Sequence, residues 1–111
     1  GHFCSNVPKY TPLDSYTYTI DRKELAKCNE NYPDNPKYPV SLTMGPKSLM
    51  RVKHLVMIVN GKHKAKILKD VLTAPISNEL PATVLRLHPN FTVICDQDAA
   101  SELEGLDLSR L

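Results

Sequence analysis

The stretch HLVMIVNGKHKAKILKDVL, residues 54–72, decides the fold that the sequence predicts. Its run Leu55–Val59 is apolar and rich in β-branched residues, which is typical of a strand covered on both faces in a parallel sheet. Asn60 and Gly61 then end the strand, and from Lys62 onward apolar residues recur at helical spacing. A strand, a glycine turn and a helix form half of a βαβ unit. In such folds ligands bind where strands end and helices begin.

The turn after this strand concentrates basic residues. Lys62, His63 and Lys64 occupy the first turn of the predicted helix, where the helix dipole and the free N–H groups favour an anion. Lys64 shares a helix face with the apolar residues at 67, 68 and 71, whereas the other lysines fall on the opposite side. Two interpretations stay open. Lys64 binds a phosphate beside the sheet, or it snorkels from the end of the apolar stripe, and the spacing alone favours the second.

The composition excludes several classes of protein. With 111 residues, of which 41% are hydrophobic, the chain is typical of one globular domain with a single core. Its net charge of +2 is too small to indicate nucleic acid as a partner. No apolar run is long enough for a membrane helix, and no signal peptide is visible. The 3 cysteines lie far apart and form no Cys-x-x-Cys pair, which favours reduced thiols in the cytoplasm over disulfides or zinc.

The remaining sequence predicts short elements in an α/β order. Strands are predicted at 15–20, 40–44 and 91–95, helices at 21–29, 46–52, 78–87 and 96–103, and loops at 1–14 and 29–39. Asp21 and Ser77 are the predicted helix caps. The alternation in the second half indicates a parallel sheet. Because so few strands would leave open edges, we expect the chain to be the C-terminal part of a larger domain.

Histidines and cysteines supply the candidate catalytic groups. His2 lies in the first loop, where an imidazole serves as acid or base near neutral pH or is simply an exposed side chain. We interpret His54 as an edge residue and His88 as a residue at a helix C-terminus. Cys4 lies two positions after His2, which by itself is weak support for a nucleophile. No pair has metal-ligand spacing and no nucleotide-binding glycine loop is present, so the residues alone predict an α/β domain with a candidate anion site and no metal.

Several blocks of the chain carry a resemblance to a known family. Residues 61–65 (GKHKA), 82–89 (ATVLRLHP) and 93–100 (VICDQDAA) closely resemble the end of glucosamine-6-phosphate deaminases. Members of that family typically read G-x-x-K-A, then P-A-S-x-L-Q-L-H-P, then a strand ending in D-x-A-A. The opening residues 1–8 (GHFCSNVP) resemble the family's D-G-H-I-A-F-N-E-P motif, and 36–45 (PKYPVSLTMG) resembles P-K-Y-A-L-T-V-G with two extra residues. The resemblance covers nearly the whole chain.

The resemblance implies a fold, an activity and a site. The fold is a Rossmann-like three-layer α/β domain with a mainly parallel sheet, of which residues 1–111 are the C-terminal half. The family isomerises and deaminates glucosamine 6-phosphate to fructose 6-phosphate and ammonia, with no metal and no other cofactor. His2 matches the histidine that assists opening of the sugar ring, and Lys64 matches the lysine that binds the sugar phosphate. The implied partner is a small-molecule sugar phosphate, while a homo-oligomer and a contact with the missing N-terminal half stay open.

The sequence departs from the family at several positions. The aspartate of the D-G-H motif would precede Gly1, and the general-base aspartate and first phosphate loop belong to the missing half. Val7 replaces the glutamate that orients the histidine, and valine can neither accept a proton nor hold an imidazole tautomer. The family's phosphate-binding arginine has no clear counterpart, because Arg22 lies too early and residues 26–28 read Ala-Lys-Cys.

Three functions remain after these observations. The first is a sugar-phosphate isomerase/deaminase-like enzyme, of which this chain is a fragment that is inactive alone. The second is a 6-phosphogluconolactonase-like hydrolase, which shares the fold and an equivalent D-G-H motif, although Leu87-His88-Pro89 favours the deaminase. The third is a non-catalytic phosphosugar-binding protein that has kept Lys64 and lost the glutamate at position 7.

Overall fold

A computed structural model describes residues 1–28 and 37–110, apart from the side chains of Cys28 and Arg110. Of the loop predicted at 29–39, residues 29–36 lie outside these ranges. The strands are β1 (Thr17–Asp21), β2 (Val40–Met44), β3 (Leu55–Val59) and β4 (Phe91–Cys95). The α-helices are α1 (Arg22–Cys28), α2 (Pro46–Leu49) and α3 (Ala65–Thr73), and 3-10 helices cover Lys62–Lys64, Pro81–Leu87 and Leu108–Arg110. No helix in the described ranges has the length and apolar character needed to cross a membrane.

The strands form two separate pairs. β1 and β2 are antiparallel, with Thr17 opposite Met44. β3 and β4 are parallel and in full register, with Leu55 opposite Phe91. The parallel pairing predicted for the second half is confirmed, but a mainly parallel sheet is not what the described residues show, because one of their two pairings is antiparallel.

The core lies between α3 and one face of the β3–β4 pair. Ala65, Leu68, Val71 and Leu72 are the buried residues of α3, as the apolar stripe predicts. Val71 packs in a cluster with Leu55, which points toward the helix from β3. The helical spacing at 67–72 therefore identified the face of α3 that contacts the sheet.

The opposite face of the parallel pair is open among the described residues. The side chains of Val56, Ile58 and Ile94 are 45%, 75% and 53% exposed, and Ile58 and Ile94 lie opposite each other in the register. The prediction that residues 55–59 are covered on both faces is therefore wrong for this part of the chain. The apolar run has the composition of a doubly covered strand, but α3 covers only one face.

The ends of α1 and α3 are held by side chains. The Asp21 carboxylate accepts a hydrogen bond from the Lys23 backbone N–H at 2.8 Å, so the predicted cap of α1 is confirmed. At the end of α3, the Arg86 guanidinium donates to the carbonyl oxygens of Leu72 and Ala74, at 2.6 and 2.7 Å. These carbonyls belong to the last turn of α3, where a cation is favourable.

Two predicted helices take a different form. The helix predicted at 78–87 with Ser77 as its cap is a 3-10 helix that begins at Pro81, and Ser77 instead forms an isolated bridge with Leu80. The residue before a proline disfavours helical angles, which delays the helix to Pro81. Residues 96–103 form successive turns rather than a helix, because only Ala99 is buried and no apolar stripe exists to dock one. The helix predicted at 46–52 ends early, at Leu49.

Gly45 directly follows β2 and packs against residues 15 and 16, which precede β1. A Cβ atom at this position would lie 2.3 Å from Ser15 Oγ, 2.5 Å from the Ser15 carbonyl oxygen and 2.6 Å from that of Tyr16. The Gly45 backbone N–H also donates to the Tyr16 carbonyl. Only a residue without a side chain allows this approach of the two segments.

Candidate functional site

A cavity of about 450 Å³ runs along β3. Its wall is formed by residues 1–4, Leu49 of α2, the whole of β3 with Asn60 after it, one face of α3 with Lys64, and two residues of the 3-10 helix Pro81–Leu87. Lys64 lines the cavity together with Ile67, Leu68 and Val71. Lys64 therefore lies on the same face as the apolar stripe of α3, as its spacing predicts.

The structure brings His2 and Lys64 to this one cavity. Partial burial lowers the pKa of His2 below its usual 6.5, and the positive charge of Lys64 lowers it further. A lowered pKa keeps the imidazole neutral at pH 7, so it can accept a proton.

Lys64 is positioned by the turn that ends β3. Gly61 has a φ of 90°, which glycine adopts without strain. Its N–H donates to both oxygens of Asp96, at 3.1 and 3.0 Å, and Asp96 also accepts from the Ala99 N–H at 2.7 Å. The Lys64 N–H then donates to the Gly61 carbonyl at 3.0 Å. Asp96 thus joins the carboxyl ends of the two parallel strands at the turn that presents Lys64.

His2 is positioned by a turn at the start of the chain. The Gly1 carbonyl accepts a hydrogen bond from the Ala82 N–H at 3.0 Å. Phe3 and Asn6 form an isolated antiparallel bridge, so the chain folds back directly after His2. Asn6 is fully buried, and sequence reasoning gave it no role. Its position in the GHFCSNVP block was the only signal, since burial of a single polar residue leaves no periodic pattern.

Val7 does not line the cavity. Its side chain is 0% exposed and packs in a cluster with Ile20 and Leu25. Position 7 therefore contributes to the core in this chain, and nothing at this position can orient His2 by a hydrogen bond. None of the arginines in the described ranges lines the cavity either.

The other candidate residues have structural partners or no role that the geometry indicates. His54 Nε2 forms a 2.8 Å hydrogen bond with Thr92 Oγ1 at the start of β3, in agreement with its interpretation as an edge residue. His88 follows the 3-10 helix Pro81–Leu87, is buried, and uses both ring nitrogens: Nε2 donates to the Val52 carbonyl at 2.8 Å and Nδ1 accepts from the Asn90 N–H at 3.0 Å. Cys4 is exposed and lines the cavity close to His2.

Fold and cavity together define a class of protein: a small α/β domain whose candidate site lies beside a parallel strand pair and presents a histidine and a lysine. No family model matches the sequence. Curated proteins narrow the class further. The glucosamine-6-phosphate deaminase of Lactobacillus delbrueckii is 39% identical over 107 residues, and that of Streptococcus uberis is 41% identical over 109 residues. Each alignment covers 94% of this chain and 45% of the relative.

The chain is therefore homologous, along nearly its whole length, to glucosamine-6-phosphate deaminases, and the resemblance carried by its motifs is confirmed. The deaminase of Thermoanaerobacter pseudethanolicus is 39% identical and is matched by 100% of this chain. The chain spans about 45% of the length of the curated relatives that it matches.

Solved structures agree with this assignment. A monomeric glucosamine-6-phosphate deaminase superposes with a TM-score of 0.68 at 30% identity, over 87% of this chain and 41% of that one. The 6-phosphogluconolactonase of Trypanosoma cruzi superposes with a TM-score of 0.65 at 17% identity, over 94% of this chain and 38% of that one. The second likeness shows a shared fold only.

Proposed function

We propose that this chain is part of a sugar-phosphate isomerase/deaminase-like enzyme that converts glucosamine 6-phosphate to fructose 6-phosphate and ammonia. The observation that carries the proposal is the meeting of His2 and Lys64 at one cavity, in a chain homologous to proteins named for that reaction. The two residues are 62 positions apart, so only the fold brings them together.

In this proposal Lys64 binds the phosphate group. Its ammonium group is presented at the cavity end of α3, after the 3-10 turn, where the helix dipole also favours negative charge. The rest of the cavity lining along β3 and α3 is mostly apolar, so Lys64 is the cation that the lining from these elements offers to an anion.

His2 opens the sugar ring in the proposed mechanism. The neutral imidazole takes the proton of the anomeric hydroxyl as the bond between C1 and the ring oxygen breaks, and a proton passes from the imidazolium to that ring oxygen. The product is the open-chain aldehyde, and the histidine returns to its neutral form. The base that moves the proton in the later isomerisation belongs to the part of the relatives' length that this chain does not span.

We further propose that the intact fold is a Rossmann-like three-layer domain of which this chain forms the C-terminal part. The exposed apolar face of Val56, Ile58 and Ile94 supports this proposal, because a third layer would bury it. Among the described residues β3 pairs only with β4, which leaves one edge of β3 for a further strand.

The free thiols of Cys4 and Cys95 support a cytoplasmic location.

The first experiment measures ammonium release from glucosamine 6-phosphate by the intact protein that contains this chain. His2→Gln should lower kcat by about 100-fold, the usual contribution of one acid–base group. His63→Gln is the matched control, because His63 is exposed and does not line the cavity, and it should keep kcat within twofold of the wild type. Equal activity of the wild type and His2→Gln would refute the role given to His2.

The second experiment tests the phosphate site with Lys64→Met. Loss of one charged contact with a phosphate should raise KM about tenfold or more. Lys62 is an exposed lysine of the same turn that does not line the cavity, so Lys62→Met should leave KM unchanged.

A protein that glucosamine 6-phosphate stabilises against heat without turnover would be a phosphosugar-binding protein. Release of acid from 6-phosphogluconolactone would instead indicate the hydrolase.

A further inference from the structure

We propose that Asn6, held by Tyr18 and supported by Thr43, is the positioning residue that fixes the loop carrying His2 against β1 and β2. This inference rests on the proposed role of His2 and adds residues outside the cavity to it. None of Asn6, Tyr18 and Thr43 lines the cavity, so they act on the reaction only through the loop.

Asn6 is the centre of the contact. Its Nδ2 donates to the Phe3 carbonyl at 3.0 Å and to the Met44 carbonyl, at the end of β2, at 2.8 Å. Its Oδ1 accepts a hydrogen bond from the Tyr18 hydroxyl of β1 at 2.7 Å. One side chain therefore ties the turn after His2 to both strands of the antiparallel pair.

A second contact fixes the same turn. The Ser5 backbone N–H donates to Thr43 Oγ1 on β2 at 3.0 Å, and Thr43 is buried. On the other side of His2, the Gly1 carbonyl is held by the Ala82 N–H. The residues on the two sides of His2 are therefore hydrogen-bonded to different parts of the fold. Gly1 bonds to the 3-10 helix Pro81–Leu87, and residues 5 and 6 bond to the β1–β2 pair.

Because the Asn6 side chain is buried, its hydrogen bonds cannot be replaced by bonds to water. Asn6 is 0% exposed, and its amide uses both its donors and its acceptor in the bonds above. Burial raises the pKa of Tyr18 above its usual 10, so the hydroxyl keeps the proton that it donates. Removal of that donor would leave a buried carbonyl oxygen unpaired, which favours rearrangement of the turn.

The experiment uses Tyr18→Phe in the intact protein, which removes the donor and keeps the ring that packs in the Val7 cluster. We expect kcat for ammonium release to fall about tenfold, equal to about 1.4 kcal/mol, with KM within twofold, because Lys64 is untouched. Tyr16→Phe is the control: its hydroxyl accepts a hydrogen bond from the exposed Arg51 at 3.1 Å, and kcat of this variant should not change.

A measurement independent of turnover separates this inference from the proposed function. NMR titration of the His2 imidazole should give a pKa closer to 6.5 in Tyr18→Phe than in the wild type, since a loosened loop buries the ring less. Thr43→Val, which removes the acceptor of the Ser5 N–H, should shift it in the same direction. A wild type without turnover would refute the proposed function alone. An unchanged His2 pKa in both folded variants would overturn the positioning role.

Discussion

At position 7 a valine side chain lies fully buried against Ile20 and Leu25, where the resemblance to glucosamine-6-phosphate deaminases places a glutamate. Val7 packs among apolar side chains, with the ring of Tyr18 beside them. The residue that departs most clearly from the family motif is therefore also a residue that the core requires.

Restoring the family residue should consequently damage the protein. Val7→Glu places a carboxyl group in an apolar cluster, and we expect the free energy of unfolding to fall by at least about 3 kcal/mol. Val40→Glu makes the same change at a valine that is 54% exposed and should cost less than about 0.5 kcal/mol. Urea denaturation of both variants measures the difference. A Val7→Glu protein as stable as the wild type would mean that this side chain reaches water or His2.

The lowered pKa of His2 predicts how activity and stability depend on pH. Since burial favours the neutral imidazole, catalysis that needs this form should persist below pH 6.5 and decline only as the pH falls through the lowered pKa. Between that pKa and 6.5 the unfolded chain binds more protons than the folded one, so the free energy of unfolding falls as the pH falls.

Thermal unfolding checks the second part of this prediction. Above pH 6.5 the wild type and His2→Gln should show the same pH dependence of Tm, and below it the wild type should lose stability more steeply. Parallel curves across the whole range would contradict a folded pKa below the usual value.

Among the elements, the antiparallel pair depends on the glycine after β2. Gly45→Ala would bring a Cβ atom to within 2.6 Å of three oxygen atoms of residues 15 and 16, of which two are backbone atoms that cannot turn away. We expect a loss of about 2–3 kcal/mol in the free energy of unfolding. Gly105→Ala provides the comparison, because it meets open space and should cost only the roughly 1 kcal/mol of a positive φ. Equal losses in the free energy of unfolding for the two variants, measured with denaturant, would contradict the proposed clash at Gly45.

The elements that sequence reasoning predicted well are those whose signal is local. The strands at 40–44, 55–59 and 91–95 have the predicted bounds, and α3 buries its predicted stripe. The signal for the helix at 78–87 was also local, but Pro81 changed the angles available to Leu80. Residues 96–103 carry helix-forming residues without an apolar face to dock, so propensity alone gave a helix that packing does not support.

At the scale of the molecule, the sequence could not reveal which surfaces the chain leaves uncovered. The run Leu55–Val59 indicates two covered faces, whereas the described residues supply one. Local patterns made His2 and Lys64 candidates, and the motif resemblance gave them their roles. The hydrogen bonds between residues 3–6 and β2 cross 38 positions, a separation that no periodic pattern encodes.

The open face leads to a prediction for the intact protein. If a third layer covers the β3–β4 pair, Ile58→Lys should lower the free energy of unfolding by about 3 kcal/mol, since a charge would be buried beneath that layer. Leu87→Lys, at a leucine that is 60% exposed outside this face, should change it by less than about 0.5 kcal/mol. Chemical denaturation of both variants decides the matter. Equal stabilities would mean that the face stays in water.

The hydrogen bonds of Arg86 affect how far α3, and with it Lys64, can move. The Arg86 guanidinium donates hydrogen bonds to the Leu72 and Ala74 carbonyls at the C-terminal end of α3, while Lys64 directly precedes the first residue of the same helix. These two hydrogen bonds oppose sliding of α3 along its axis, so we expect Lys64 to follow a bound anion by rotating its own side chain.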